Sequence, residues 1–389
     1  MTAHVLSRFV VAPSGFKECM SAEQAADAIV AGVRRVAPGA IVHYLPLVDG
    51  GEGSAATLAR ATGGHLVPLR VTGPVGDPVD SHIAVLGGPG PRTVVVEMAA
   101  AAGLRLVPRR LRDPGATTSY GVGELICAAL DAGARRILVG CGDSGTCDGG
   151  AGALQALGVR VSTALGEPVG RGGSALLEVA AVDLDEIDPR LRDVEVLVAV
   201  NPHNVLCGER GVARVFGPQK GATADQVVLL ATAMERWAKV LEHDRGLDLR
   251  TAAGSGASGG LGAGLAAGLG ARLLPRFEVM LNHVDLDAAL ADADLVFTAE
   301  GAIDEQTPRG KVPAEVARRA KRHGKPVIAL AGTIGVHARV NYDAGIDAFA
   351  AILPEPVSLE TALCRGAEFL TDATERVLRL VLVGTTIAA

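Results

Sequence analysis

A glycine-rich acidic stretch at residues 139–152, VGCGDSGTCDGGAG, constrains this chain more than any other part of it. It contains two carboxylates, Asp143 and Asp148. An apolar run at residues 137–139 precedes it, and residues 151–157 are predicted to form a helix. A strand, a glycine turn and a helix in this order bring backbone N–H groups to an anion. The stretch therefore predicts an α/β fold with a phosphate-binding turn.

Both ends of the chain alternate between predicted strands and helices. Ser21 and Gln24 form a predicted capping box at the start of the first helix. The predicted strands at the two ends are residues 9–12, 41–48, 295–298, 326–331 and 348–353, and the predicted helices are residues 21–36, 54–61, 313–323 and 358–380. This β-α-β-α rhythm is typical of a parallel sheet, in which ligands bind beyond the carboxyl ends of the strands.

The middle of the chain has a different rhythm. Short strands with glycine and proline turns predict a mixed sheet, and longer helices follow them. The predicted strands are residues 66–71, 82–86, 93–98 and 194–200, and the predicted helices are residues 121–132 and 224–243. We therefore predict a two-domain α/β protein: a Rossmann-like parallel-sheet domain from residues 1–64 and 290–389, and an inserted α+β domain with a mixed sheet from residues 65–289.

The composition excludes several classes of protein. A chain of 389 residues is long enough for two cores. A net charge of −6 without a basic block argues against a nucleic-acid partner. The six cysteines form no CxxC pair, and no apolar segment is long enough to span a membrane. These features, with no secretory signal in residues 1–11, predict a cytoplasmic protein without a membrane or zinc partner.

The glycine stretch also fits a dinucleotide fingerprint, G-x-G-x-x-G, at residues 140–145. The same pattern recurs at residues 254–259, which shows how weakly it discriminates in a chain with 50 glycines. Asp143 inside the first pattern would repel a pyrophosphate. A tight turn without a ligand is the plain alternative.

A Walker A motif is excluded because Val312 follows Gly310 and Lys311.

Three lysines lie beside glycine turns: Lys17, Lys220 and Lys311. A lysine beside glycine can place a point charge against phosphate while the backbone approaches closely. A solvated surface lysine is the alternative for each one, and we expect at least one of the three to contact phosphate.

Carboxylates also lie on or beside glycine turns. Grouped together, they would suit Mg²⁺ with substrate phosphate oxygens, and one of them could accept the proton of a substrate hydroxyl. Local turn chemistry is the alternative, which we favour for Asp143. His203 could act as a base, although a lone histidine is more often structural. The candidate carboxylates are Asp49, Glu52, Asp148, Glu300 and Asp304.

Seven motifs in order resemble the bacterial type of glycerate kinase (glycerate kinase type 1). They are residues 11–17 (VAPSGFK), 49–53 (DGGEG), 118–124 (TSYGVGE), 148–152 (DGGAG), 215–221 (VFGPQKG), 259–264 (GGLGAG) and 300–307 (EGAIDEQT). The resemblance covers nearly the whole chain. It implies ATP-dependent phosphorylation of a hydroxyl on a small hydroxy acid, and an active site in the cleft between the two domains.

The chain departs from the family's usual motifs at several positions. Ser14 and Gly15 replace Asp and Ser, and Cys147 replaces Asn. Asn201 and His203 replace two aspartates, and Ala302 replaces Arg. Losing an arginine removes a bidentate carboxylate clamp. The acceptor could therefore be glycerate or another polyol, such as a cyclitol or a sugar-like molecule, and a non-catalytic binding relative is a further alternative.

We predict an ATP- and Mg²⁺-dependent kinase that acts on a small hydroxylated substrate and that could form a homo-oligomer. The predicted catalytic residues are Lys17, Asp49, Asp148 and Lys220, with Asp148 and Glu300 as metal ligands. The predicted substrate- and nucleotide-binding residues are Ser14, Glu52, Ser144, Thr146, Asn201, His203, Gly259, Gly260, Glu300, Asp304, Gln306 and Lys311.

Overall fold

A computed structural model describes residues 6–16, 18–281 and 285–388. Within them, the strands are β1 (Arg8–Val11), β2 (Ile41–Tyr44), β3 (His65–Thr72), β4 (Pro78–Val85), β5 (Thr93–Glu97), β6 (Arg136–Gly140), β7 (Arg160–Thr163), β8 (Val179–Asp183), β9 (Glu195–Val200), β10 (Arg272–Pro275), β11 (Leu295–Ile303), β12 (Val327–Ile334) and β13 (Ala348–Ala351).

The α-helices of the same residues are α1 (Ala22–Val36), α2 (Ser54–Thr62), α3 (Met98–Ala102), α4 (Tyr120–Asp131), α5 (Ala151–Ala156), α6 (Val212–Phe216), α7 (Ala224–Arg245), α8 (Ala257–Leu269), α9 (Arg276–Met280), α10 (Leu286–Asp292), α11 (Val312–Arg322), α12 (Val340–Asp343), α13 (Leu359–Cys364) and α14 (Gly366–Ala388).

The chain forms two compact units: Met1–Val48 with Val284–Ala389, and Asp49–His283. The first unit contains a parallel five-stranded sheet in the order β13-β12-β11-β1-β2, which confirms the predicted sheet from both chain ends. Phe9 and Phe297 are fully buried on adjacent strands. Burying a side chain of this size contributes about 2–3 kcal/mol to stability.

The second unit contains a six-stranded mixed sheet in the order β10-β9-β6-β5-β4-β3 and the hairpin β7-β8. Its strands β5, β6, β9 and β10 are parallel, whereas β3 and β4 pair antiparallel. The structure places α2 in this unit, because α2 packs against β3, β4 and β5. The units therefore divide at Val48 and Val284, whereas the predicted boundaries lie after residue 64 and before residue 290.

Two local predictions differ from the structure in the first unit. Residues 300–303 continue β11 as a strand and do not form the predicted glycine turn, because Glu300 and Ala302 pair with Ala331 and Thr333 of β12. The closing helix is divided into α13 and α14 at Arg365. The capping box of Ser21 and Gln24 is present as predicted.

Candidate functional site

The carboxyl ends of four parallel strands meet at one edge of the six-stranded sheet. The pairing register aligns Glu97 with Gly140, Gly140 with Ala199, and Val200 with Pro275. The loops that follow these residues therefore leave the sheet side by side. This is the edge at which parallel sheets bind ligands, and it is built entirely within the second unit.

The loop after β6 packs closely against the loop after Val48. A side chain at Gly142 would collide with the backbone of Gly51, so glycine is required where the two loops meet. Asp143 adopts a left-handed conformation (φ 49°), and its Oδ2 accepts a hydrogen bond from the Glu52 amide at 3.2 Å. Asp143 thus joins the two loops, in keeping with the structural role that the sequence favours for it.

Asp148 is almost fully buried, and its carboxylate binds the protein's own hydrogen-bond donors. Oδ2 accepts from the Ser119 amide at 2.7 Å and the Ser119 hydroxyl at 2.8 Å, and Oδ1 accepts from the Gly150 amide at 3.3 Å. Burial raises the pKa of the Asp148 carboxyl, and these hydrogen bonds oppose the rise. This donor set does not fit a carboxylate that binds a metal ion, so the predicted metal and catalytic roles of Asp148 remain predictions without geometric support.

Lys220 lies beneath the same loop and is only 3% exposed. Its ammonium donates to Ser144 Oγ at 2.9 Å and to the Thr146 carbonyl at 2.7 Å. Burial lowers the pKa of the Lys220 ammonium, and the nearby Cys147 and Asp148 oppose that effect. Thr146 is fully buried, and its hydroxyl has no hydrogen-bond partner within the described ranges.

The structure therefore brings together Lys220, Ser144 and Thr146, three of the predicted site residues, and their contact with phosphate stays a prediction. Both groups that accept from Lys220 are neutral, and an ammonium has three N–H donors, of which these contacts use two. Cys147 lies in the same loop, and burial raises the pKa of its thiol to about 11. Such a thiol is inert as a nucleophile, as the sequence favoured.

Residues near the start of α8 pack against the loop after β6. Ser258, Gly259 and Gly260 have positive φ values of 51°, 73° and 92°, which interrupt the helix near its start. The Gly259 carbonyl accepts a hydrogen bond from the Gly149 amide at 2.9 Å. On the other side, the Trp237 indole donates to the Gly149 carbonyl at 2.9 Å. The loop is thus held by its neighbours on both sides.

The remaining predicted residues of the second unit lie at the same edge with partners of their own. Asp49 Oδ2 forms an ion pair with Arg276 Nη1 at 2.6 Å. Glu52 is exposed and pairs with Arg105 at 2.8 Å. Asn201 Oδ1 accepts from the His203 backbone amide at 3.1 Å, and the His203 side chain is exposed.

In the first unit, Lys311 lies between two predicted carboxylates. Its ammonium is 3.6 Å from Glu300 Oε1 and 3.4 Å from Asp304 Oδ1, and it donates to the Ala302 carbonyl at 3.2 Å. The Gln306 amide donates to Asp304 Oδ1 at 2.8 Å. The charge of Lys311 is thus compensated by neighbouring carboxylates.

Two further predictions for the first unit have different outcomes. The Ser14 hydroxyl donates to the Ala299 carbonyl at 3.0 Å, which places Ser14 beside β11. Lys17 lies outside the described residues, and its catalytic role stays a prediction.

Two charged residues at the edge of the six-stranded sheet were not predicted from the sequence. Arg276 follows β10 and forms an ion pair with Asp49. Glu97 is the last residue of β5 and accepts hydrogen bonds from the backbone amides of residues 53 and 55. A charged residue at the carboxyl end of an apolar strand is the signal that could have identified each of them.

The described residues contain no group of three His, Cys, Asp or Glu side chains that could hold a metal ion. Within the same ranges, none of the helices combines the length and the apolar character that crossing a bilayer needs. All six cysteines are free thiols.

Comparison with known proteins places this geometry in a family. The sequence profile of the glycerate kinase family matches residues 9–382. Glycerate kinase from Bacillus subtilis is 45% identical, covering 93% of this chain and 94% of that protein. Glycerate 2-kinase from Escherichia coli K12 is 40% identical, covering 97% of this chain and 98% of that protein.

A solved structure agrees with these sequence matches. The crystal structure of a candidate glycerate kinase 2 from Salmonella typhimurium LT2 superposes with a TM-score of 0.79 at 42% sequence identity, covering 97% of this chain and 99% of that one. The predicted resemblance is thereby confirmed: the chain belongs to the glycerate kinase family.

Proposed function

We propose that this protein transfers the γ-phosphoryl group of ATP to a hydroxyl of glycerate. The observation that carries the proposal is the match to the glycerate kinase family over residues 9–382. The relatives from Bacillus subtilis and Escherichia coli, named glycerate kinase and glycerate 2-kinase, align over more than nine-tenths of the chain.

The loop after β6 supports the phosphate side of this reaction. Phosphoryl transfer depends on positioning and on stabilising charge that spreads over the phosphoryl oxygens. Lys220 supplies a buried positive charge beside the Thr146 hydroxyl, which has no partner among the residues described. We assign Lys220, Ser144 and Thr146 to phosphate binding. The Gly259 carbonyl, which accepts from the Gly149 amide, holds the loop in place.

Magnesium enters the proposal as the ion that accompanies ATP. When bound with ATP, Mg²⁺ would neutralise part of the charge on the phosphates. The enclosed carboxylate of Asp148 does not fit as a ligand, and Lys311 lies 3.6 Å from the Glu300 carboxylate. Removal of divalent cations with a chelator should abolish turnover, and Mg²⁺ should restore it.

A second acceptor class is favoured by one observation. At position 302, where the resemblance implies an arginine, the chain has alanine, whose carbonyl accepts from Lys311. An acceptor without a carboxylate would not need the missing guanidinium. An uncharged polyol is therefore the second candidate. Cytoplasmic location and homo-oligomerisation stay predictions.

The experiment is a steady-state assay of the purified protein with Mg-ATP and D-glycerate, and with glycerol, erythritol and myo-inositol as uncharged acceptors. We expect kcat/KM of at least about 10⁴ M⁻¹s⁻¹ for glycerate, with the product position assigned by NMR. Lys220→Met should lose this activity, and Lys239→Met, on the exposed face of α7, should retain it. Faster turnover of an uncharged polyol than of glycerate would make the polyol the preferred acceptor. If neither acceptor class supported ATP turnover, the kinase assignment would be overturned.

A further inference from the structure

Glu97 is a buried carboxylate that binds the backbone of a neighbouring loop. It is 1% exposed and ends β5. Oε1 accepts from the Gly53 amide at 2.9 Å, and Oε2 accepts from the Ala55 amide at 3.0 Å. Both oxygens of one side chain are therefore fixed by two amides that lie more than forty residues earlier in the chain.

These amides belong to the N-cap residue and the first turn of α2, which has no side-chain cap of its own. Its N-cap residue, Gly53, has a left-handed conformation (φ 86°) and no side chain to accept the free amides. Helices usually satisfy these amides with a local Ser, Thr, Asp or Asn. Here Glu97 takes that place from the end of β5, and a negative charge at this end of a helix is favourable.

The loop that Glu97 binds carries charged groups to the candidate site. Residues 49–53 hold Asp49, which pairs with Arg276, and Glu52, whose amide binds Asp143. Glu97 is itself at the carboxyl edge of the sheet, aligned with Gly140. One carboxylate thus ties β5 to the loop that packs against the phosphate-facing loop after β6.

We propose that Glu97 is a positioning residue, whose ionised carboxylate fixes the loop of residues 49–53, and with it Asp49, at the site edge. The inference rests on the proposed kinase function for its effect on turnover, but not for its effect on the loop. Glu97 does not touch the reacting atoms; it acts through the loop that it binds.

Protonation of Glu97 would weaken this hold, since one oxygen would become an O–H donor facing a backbone N–H. Burial raises the pKa of Glu97 to about 7, with the carboxylates of Glu52 and Asp143 adding to the rise and the two amides opposing it. The cations of these elements, Arg105 and Arg276, pair with Glu52 and Asp49. The loop should therefore respond to pH in the neutral range.

The test compares Glu97→Gln with Asp244→Asn. Glutamine keeps the size of Glu97 but presents a donor to one of the two amides. Asp244 is a matched control, because it also accepts a backbone amide, that of Val182 in β8 at 2.7 Å. We expect kcat/KM of Glu97→Gln to fall about 10- to 100-fold, and hydrogen exchange in residues 50–57 to become faster.

The pH profile separates positioning from general stability. The wild type and Asp244→Asn should lose kcat/KM as pH falls through about 7, and Glu97→Gln should lack this step. Glu97→Gln with wild-type kcat/KM, exchange and pH profile would overturn the proposal. Should this variant not fold, exchange of Gly53 and Ala55 in the wild type gives the answer, corrected for the intrinsic rate and compared with the slowest-exchanging amides, which report global unfolding. Greater relative protection at pH 8 than at pH 6 supports the proposal, and equal relative protection overturns it.

The exchange measurement does not need turnover. If the wild type fails to phosphorylate any acceptor, the proposed function fails, while faster exchange in Glu97→Gln still supports the loop contact. If the wild type is active and Glu97→Gln is unchanged in both assays, the positioning inference alone fails.

Discussion

Lys220 and Lys311 both lie beside glycine turns, yet their surroundings differ. Lys220 is buried and donates to a hydroxyl and a carbonyl, both neutral, while the nearby Asp148 carboxylate accepts from Ser119 and Gly150 instead. Lys311 is half-buried and lies within 3.6 Å of the carboxylates of Glu300 and Asp304. A buried cation with neutral partners favours an anion close to it, whereas a cation between two carboxylates is already neutralised. The comparison teaches that adjacency to glycine alone does not identify a phosphate-binding lysine.

The largest expected effect is that of Lys220→Met. The change removes the buried charge and leaves Ser144 Oγ and the Thr146 carbonyl without their donor. We expect kcat/KM for ATP-dependent turnover to fall by about 10³-fold. Steady-state kinetics measures the loss, and circular dichroism checks that the variant is folded. A folded Lys220→Met with wild-type activity would contradict the distinction between Lys220 and Lys311.

Asp148→Asn tests the buried network next to Lys220. An asparagine amide would face donors from Ser119 or Gly150 that now bind the carboxylate. We expect the free energy of unfolding to fall by about 3 kcal/mol, as measured by urea denaturation. Asp185→Asn, at an exposed turn, serves as control and should change it by less than about 0.5 kcal/mol. Full stability, with a higher Mg²⁺ concentration needed for half-maximal turnover, would instead favour the predicted metal role.

A pH effect should also distinguish the buried region. The pKa of Glu97 rises from 4.5 to about 7 on folding, so between these values the folded state binds a proton that the unfolded state has lost. The free energy of unfolding therefore decreases as pH rises through this window, by up to about 3 kcal/mol, and is constant above it. The ionised Glu97 carboxylate accepts both amide hydrogen bonds, although burying its charge lowers the free energy of unfolding of the whole protein.

Urea denaturation of wild type and Glu97→Gln at pH 5 and pH 8 measures this effect. The free energy of unfolding of the wild type, minus that of Glu97→Gln, should be larger at pH 5 than at pH 8. An equal difference at both values would show that Glu97 does not titrate in this window.

Lys311→Met should have the smallest effect of the four. It leaves Glu300 and Asp304 without their shared cation, and like charges then repel. We expect kcat/KM to fall no more than about 5-fold, since a partly solvated ion pair contributes at most about 1 kcal/mol. Lys321→Met is the control, because Lys321 pairs with Asp347 in the same unit. A loss as large as that of Lys220→Met would contradict the distinction drawn from charge compensation.

Local signals predicted much of the fold. The capping box of Ser21 and Gln24 lies within four residues, and apolar runs such as that of β6 are read directly from the chain. The extension of β11 past Glu300 was missed, because Gly301 resembles a turn residue and only pairing with β12 keeps it extended. Tertiary pairing overrides such local preferences.

Local patterns also singled out some of the residues that lie together in the candidate site. Ser144, Thr146 and Lys220 are adjacent to glycine, and their grouping is found in the structure. Glu97 follows three valines without a nearby glycine, and its partners are distant in sequence. Nor could the sequence reveal that the chain's own amides enclose Asp148. Contacts at long sequence separation carry this information, and a single sequence does not display them.

Glycerate kinase activity is tested by following the formation of phosphoglycerate from D-glycerate and Mg-ATP by ³¹P NMR, with the purified wild type and Lys220→Met side by side. We expect glycerate-dependent product at kcat/KM of at least about 10⁴ M⁻¹s⁻¹ in the wild type, and about 10³-fold less in the variant. No glycerate-dependent product in the wild type, or equal rates in both proteins, would contradict this expectation.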